Sequence, residues 1–115
     1  MSTIFDTDCT PVHGVASKKG LIAAGTVVIP ANAVVTRVYA RNNTANAVTG
    51  GIKVGTSAGA TDVVAALPVL ANQVGSGAAA GGSFNQGATR TLYIDAVTAW
   101  NSAVIDVAVA YTILV

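Results

Sequence analysis

At 115 residues and 11.4 kDa, with 52% hydrophobic, 10% charged and 5% aromatic residues and a net charge of +1, the chain is sized for one domain. A charged fraction well under half of the roughly 25% usual in soluble domains, with a mean hydropathy of +0.61, excludes intrinsic disorder and argues against a free monomer. The six cations, Lys18, Lys19, Arg37, Arg41, Lys53 and Arg90, are scattered along the chain, so no basic stripe forms and nucleic acid is not an expected partner.

Residues 1–20 mix Asp, Thr, Ser, Lys, Pro11 and Gly14 without periodicity. They read as an extended N-terminal arm or a first edge segment, ahead of a domain over residues 21–115. The first eight residues carry Asp6 and Asp8 and no cation, which is the wrong polarity for a secretory signal, and synthesis in a cytosol is expected. The longest apolar run, residues 21–29, is interrupted by Gly25 and Thr26 and stopped by Pro30. It falls far short of the roughly 20 residues that span a bilayer, and no membrane partner is expected.

From there the period is two. Over residues 34–41, Val34, Thr36, Val38 and Ala40 form the small or apolar face, and Val35, Arg37, Tyr39 and Arg41 the wetter one. A polar turn at residues 42–46 follows, and then Val48, Gly50, Ile52 and Val54 alternate with Thr49, Gly51, Lys53 and Gly55, so the two segments read as a hairpin with a loop of about five residues. Residues 56–60 are a Gly/Ser loop, residues 62–67 a short apolar run ended by Pro68, and residues 69–74 a candidate strand. Residues 75–82 are almost pure Gly, Ala and Ser and belong in a loop or at a tight contact.

Alternation returns with Arg90, Leu92 and Ile94 against Thr91, Tyr93 and Asp95. After a turn near residues 99–102 it runs through Ile105, Val107, Val109, Tyr111, Ile113 and Val115. An apolar strand at a chain end is best pinned between neighbours, because a frayed one is an aggregation template. There is no glutamate, no capping box and no helical stripe, and the alanines sit in alternating runs or beside glycine. Seven or eight short antiparallel strands in about 95 residues fit an all-β single domain, a β-sandwich or jelly roll.

The one group with ligand chemistry is Asp6, Asp8, Cys9 and His13. Its spacing fits neither a Cys2His2 site nor a helical histidine pair, so neither metal nor other cofactor is expected, and the four residues read as partner-binding positions on a solvated arm. A single cysteine makes no internal disulfide, though an intermolecular one is conceivable. Cys9 and His13 have no orienting third group placed by the pattern, the aspartates make no pair suited to glycoside hydrolysis, and the glycine-rich stretches lack the lysine and Ser/Thr of a phosphate cradle. The chain is therefore read as a non-enzyme. Asn42, Asn43 and Thr44 match a glycosylation pattern by chance in an Asn-rich turn. Trp100 is open to three readings: a cap on the core, an interface anchor, or a sugar-stacking platform.

The stretch VVIPANAVVTRVYARNNTANAVTGGIKVG at residues 27–55, the TSAGATD that follows, and the ending TLYIDAVTAWNSAVIDVAVAYTILV at residues 91–115 resemble the small β-rich structural proteins of tailed bacteriophages. Capsid decoration or cement proteins and related head-fibre and tail-fibre modules share an IP step into a strand, a central I-x-V-G-T and a final A-Y-x-I-L. The resemblance covers about three quarters of the chain and is one of pattern, with no functional residue to carry over. It implies a jelly roll or related sandwich, commonly trimeric, on the capsid surface of a virion assembled in a bacterial cytoplasm, with the major capsid protein or another virion protein as partner. The arm would reach the underlying shell. The alternative is a receptor- or carbohydrate-binding tip of a phage tail, with Trp100, Tyr39, Tyr93 and Tyr111 as stacking groups.

Overall fold

A computed structural model describes residues 11–80 and 87–114. Eight strands, β1 (Pro11–Leu21), β2 (Gly25–Ile29), β3 (Ala33–Asn42), β4 (Val48–Gly55), β5 (Val64–Val69), β6 (Val74–Ala78), β7 (Arg90–Ala96) and β8 (Ile105–Leu114), form two four-stranded antiparallel sheets. Sheet A has the order β1-β8-β3-β6 and sheet B the order β2-β7-β4-β5. The inward residues of the two sheets make one core, in which Ile29, Val38, Ile52, Val54, Leu92, Ile94, Ile105, Val107 and Val109 are all at or below 1% exposed. Branched aliphatic side chains of this kind fit a pleated surface and fill the roughly 10 Å between sheets without polar atoms to satisfy.

The inward positions of β7 and β8 are those expected from alternation: Leu92 and Ile94; Ile105, Val107 and Val109. In β4, Val48, Ile52 and Val54 are inward as expected, but Gly50 is exposed and Gly51 and Gly55 are buried, the register with β5 shifting between Val48 and Ile52. β8 lies between β1 and β3, so the last strand is pinned on both sides.

Four expectations are corrected. In β3 the buried set is Ala33, Val35, Val38 and Ala40, with Val34 half-buried and Thr36 exposed. The register with β8 shifts between Val35 and Arg37, and a bulge of one residue sends the alternation to the other face midway. Second, β3 and β4 are not a hairpin: β3 pairs with β6 and β8 in sheet A, and β4 with β5 and β7 in sheet B. The Asn-rich turn between them is a crossover from sheet to sheet. It is organised by Asn42, 2% exposed, whose Nδ2 donates to the carbonyl of Asn46 at 2.7 Å and whose Oδ1 accepts from the N–H and hydroxyl of Thr44 at 3.0 and 2.7 Å.

Third, β5 continues through Pro68 as an edge strand of its sheet, where a missing N–H breaks no ladder. Fourth, residues 74–78 of the glycine-rich stretch form strand β6 instead of a loop, while residues 81–86 lie outside the described residues. The tight contact is nonetheless present: the inward residues of β6 are Gly75 and Gly77, facing Leu67 and Pro68 where the edges of the two sheets meet. Of the residues read as an arm or first edge segment, Pro11–Leu21 is strand β1 at the edge of sheet A, antiparallel to β8 from Pro11 opposite Leu114 to Lys18 opposite Val107.

Candidate functional site

The register of sheet A dictates its outer face row by row. Asp106, Arg41 and Val74 stand side by side on β8, β3 and β6; Ser17, Ala108, Tyr39 and Ser76 make the next row; Val15, Ala110, Arg37 and Ala78 the one after. His13 and Thr112 stand opposite each other farther along, and His13 Nδ1 lies 3.0 Å from the Thr112 hydroxyl. Because β8 contributes only alanines to the two middle rows, the face is lowest along its central strand and higher on either side. The result is an open groove of about 360 Å³ with Ala108 in its floor, Tyr39 and Val74 on one wall, Lys18 and Lys19 on the other, and Asp106 with Arg41 at its end.

Asp106 ties the end of the groove together. Its carboxylate accepts from Asn43 Nδ2 at 3.0 Å, from the backbone N–H of Gly20 at 2.9 Å and from Arg41 at 2.6 Å through Nη2 and 3.2 Å through Nε. These donors, Asn43 first, then Gly20 and Arg41, hold the carboxyl down at about 2. Gly20 adopts a left-handed φ of 70° at the irregularity that ends the β1–β8 register. Arg41 is thus neutralised, whereas Lys18 and Lys19 have no carboxylate partner among the described residues. Arg37 donates to Ser76 Oγ at 3.1 Å and stands 6.0 Å from the centre of the Tyr39 ring. Arg37 and Arg41 therefore flank Tyr39 on β3, and Lys18 and Lys19 line the same groove from β1, two strands away. The partial signal was the Arg-x-Tyr-x-Arg alternation at 37, 39 and 41, which places all three side chains on one face.

Of the residues expected to bind partners, the two that are described, His13 and Trp100, are not brought together. Asp6, Asp8 and Cys9 lie outside the described residues. His13 is exposed on β1, and Trp100 lies in the turn before β8, half-buried against the core with its indole N–H donating to Asp95 Oδ1 at 3.1 Å. Seven residues of β8 separate Ile105, at the Trp100 end, from Thr112, opposite His13, or about 24 Å at the rise of a strand.

The aromatic groups are also dispersed: Tyr39 faces outward from sheet A, Tyr111 packs against the core over Gly14, and Tyr93 lies on sheet B. Asp62 accepts from the N–H and hydroxyl of Thr56 at 2.9 and 2.6 Å, which lowers its carboxyl below the usual range and fixes the β4–β5 loop. Among the described residues no three of His, Cys, Asp and Glu stand together as a metal site would require, and no helix is long and apolar enough to cross a membrane.

Apolar side chains are exposed elsewhere as well. Val12 and Val15 stand out from β1, Val28 from β2, and Ile22, Leu70 and Val97 from loops, each at least 40% exposed.

No family model and no curated protein matches the chain. Solved structures do. A chain of the acidic stable capsid structure of Helicobacter pylori bacteriophage KHP30 superposes with a TM-score of 0.59 at 14% identity, over 93% of this chain and 96% of that one. A chain of the cyanophage Pam1 capsid asymmetric unit is similar at a TM-score of 0.48 and 18% identity, over 93% of this chain and 87% of that one. At such identities the likeness is one of fold: this chain has a β-sandwich also found in a phage capsid structure.

Proposed function

We propose that this protein is a non-enzymatic structural protein of a bacteriophage virion, a decoration or cement protein that sits on the outer capsid surface as a symmetric oligomer, a trimer, and holds the major capsid protein beneath it. The observation that carries the reading is the match of nearly the whole sandwich to a chain of a phage capsid structure. Strand order β1-β8-β3-β6 over β2-β7-β4-β5, eight strands in two sheets, supports a jelly roll.

The surface supports assembly. Eight large apolar side chains among the described residues, from Val12 to Val97, are 40% exposed or more, in a chain with only eleven formal charges to keep it dispersed. Apolar surface of this kind is covered in a symmetric oligomer or against a shell. Synthesis in the bacterial cytoplasm and residence on the virion follow from that role. The tail-tip alternative draws less support, since Trp100 packs against the core and the tyrosines share no face.

The test is to purify particles from lysates of cells producing the phage that carries the gene, and to count this chain per particle by quantitative mass spectrometry. Copies in the hundreds, lost from the heads as the oligomer on mild destabilisation, are expected for a shell of repeated capsomers. Only a handful per particle would move the assignment to the tail. Absence from the particles would overturn it.

A further inference from the structure

From the open edge of sheet A we infer that β1 of one copy pairs with β1 of a second copy, antiparallel about a two-fold axis at Val15, so that sheet A runs on from one molecule into the next. The inference rests on the reading of a self-associating chain above and supplies the contact and its symmetry.

Of the four sheet edges, three are protected and β1 is not. β2 and β6 have five residues each, and β5 has six and carries Pro68. Short edge strands and edge prolines are what keep a sheet from pairing with a further chain. β1 has eleven residues, an unbroken register with β8 from Pro11 to Lys18, no proline after Pro11, and its two lysines at the far end.

The printed phase of the ladder shows which backbone groups face outward. The N–H of Ala79 donates to the Thr36 carbonyl at 3.1 Å and that of Asn42 to the Gln73 carbonyl at 2.9 Å, so Val38, Ala40 and Asn42 turn their backbone groups toward β6. Arg37, Tyr39 and Arg41 then turn theirs toward Ala110, Ala108 and Asp106 of β8, which the bond from the Asn43 N–H to the Val104 carbonyl at 3.1 Å continues. The alternate residues of β8, Val107, Val109 and Tyr111, therefore serve Lys18, Ala16 and Gly14 of β1. What remains is the N–H and C=O of His13, Val15 and Ser17, turned to the side where no described strand stands.

Charge selects the second copy and its register. With the axis at Val15, Val15 meets Val15, His13 meets Ser17, and Lys18 meets Val12, so the Lys18 residues of the two copies lie at opposite ends of the ladder, about 20 Å apart. An axis at Lys18 would set lysine against lysine. The three outward residues of each copy exchange about six backbone hydrogen bonds, and Val15, 64% exposed in one molecule, gains a β-branched partner. The contact is isologous, the same edge on both sides.

Light scattering on the full-length wild type at micromolar concentration is expected to give an even number of copies: two, or six where trimers formed through another surface join edge to edge. Val15→Pro removes only an outward N–H that β8 does not use, and is expected to raise the dissociation constant of the edge contact by about tenfold or more with the β signature in circular dichroism retained. Val15→Lys, which sets like charges against each other across the axis, is the second variant if the proline form misfolds. Register is read in a Cys9→Ser background with oxidised glutathione. Val15→Cys is expected to cross-link, since the Cα atoms of a hydrogen-bonded pair stand about 5.5 Å apart, whereas Val12→Cys leaves its two copies about 20 Å apart and is expected not to. A three-copy wild type, Val15 variants that keep the wild-type mass and affinity, or cross-linking through Val12→Cys and not Val15→Cys overturns the edge contact while leaving an oligomer standing. A monomeric wild type overturns both.

Discussion

The two sheets meet tightly at β6, and two glycines of that strand make a matched pair of probes. Gly75 and Gly77 both face inward, opposite the buried Ala40 and Val38, and neither has a left-handed φ, so an added methyl acts through space alone. At Gly75 a Cβ would run into the carbonyl oxygen of Pro68, a backbone atom of the other sheet; at Gly77 it would meet only Leu67 Cδ1, at 3.2 Å, the free end of a flexible side chain. Gly75→Ala must push the Pro68 carbonyl back by about 1 Å, and overpacking of that kind costs about 1–3 kcal/mol. Each alanine also removes unfolded-chain freedom and returns about 0.4–1 kcal/mol.

The net expectation is a loss of about 1–2 kcal/mol for Gly75→Ala and a result between neutral and about 1 kcal/mol stabilising for Gly77→Ala. At about 4 °C per kcal/mol, the two variants should melt about 8 °C apart by calorimetry or circular dichroism at fixed protein concentration. Equal melting temperatures, or a Gly75→Ala protein as stable as the wild type, would refute the rigid close approach of the sheets.

Val107, 1% exposed on the central strand β8, should not tolerate Val107→Asp: an unpaired carboxylate in the core costs several kcal/mol, and a soluble, cooperatively melting variant would contradict the register of sheet A. Asn42→Ala leaves the Thr44 N–H and the Asn46 carbonyl without their partner in a buried crossover and should lower stability by about 2–3 kcal/mol in urea unfolding. Since the folded Asp106 carboxyl titrates at about 2 against 3.8 as its ordinary value, its stabilisation is complete above about pH 4 and is lost as pH falls through about 2. The melting temperature of the wild type should therefore exceed that of Asp106→Asn at pH 6 and converge on it near pH 2; a gap that persists unchanged at pH 2 would mean the carboxylate is not the source.

Alternation alone placed the inward residues of β7 and β8 and the large ones of β4, because the direction of each side chain on a strand is a local property with a period of two. It also made an all-β sandwich legible, since Val, Ile and Thr at alternate positions suit a pleat and no helical stripe competes. What alternation does not carry is the identity of the neighbour: backbone hydrogen bonds are chemically the same for every strand, so β3 and β4 read as a hairpin when each belongs to a different sheet. The one-residue bulge before Arg37 and the inward glycines of β6 are likewise decisions of packing across the sandwich.

The groove belongs to the same class. Ser17, Tyr39, Val74 and Asp106 come from four strands far apart in the chain, and only the register of β1-β8-β3-β6 brings them to one face. The composition, short of charge and rich in small apolar residues, determined that some of the exterior would be covered; tertiary pairing decided which part, because it alone sets which cations and which alanines stand side by side.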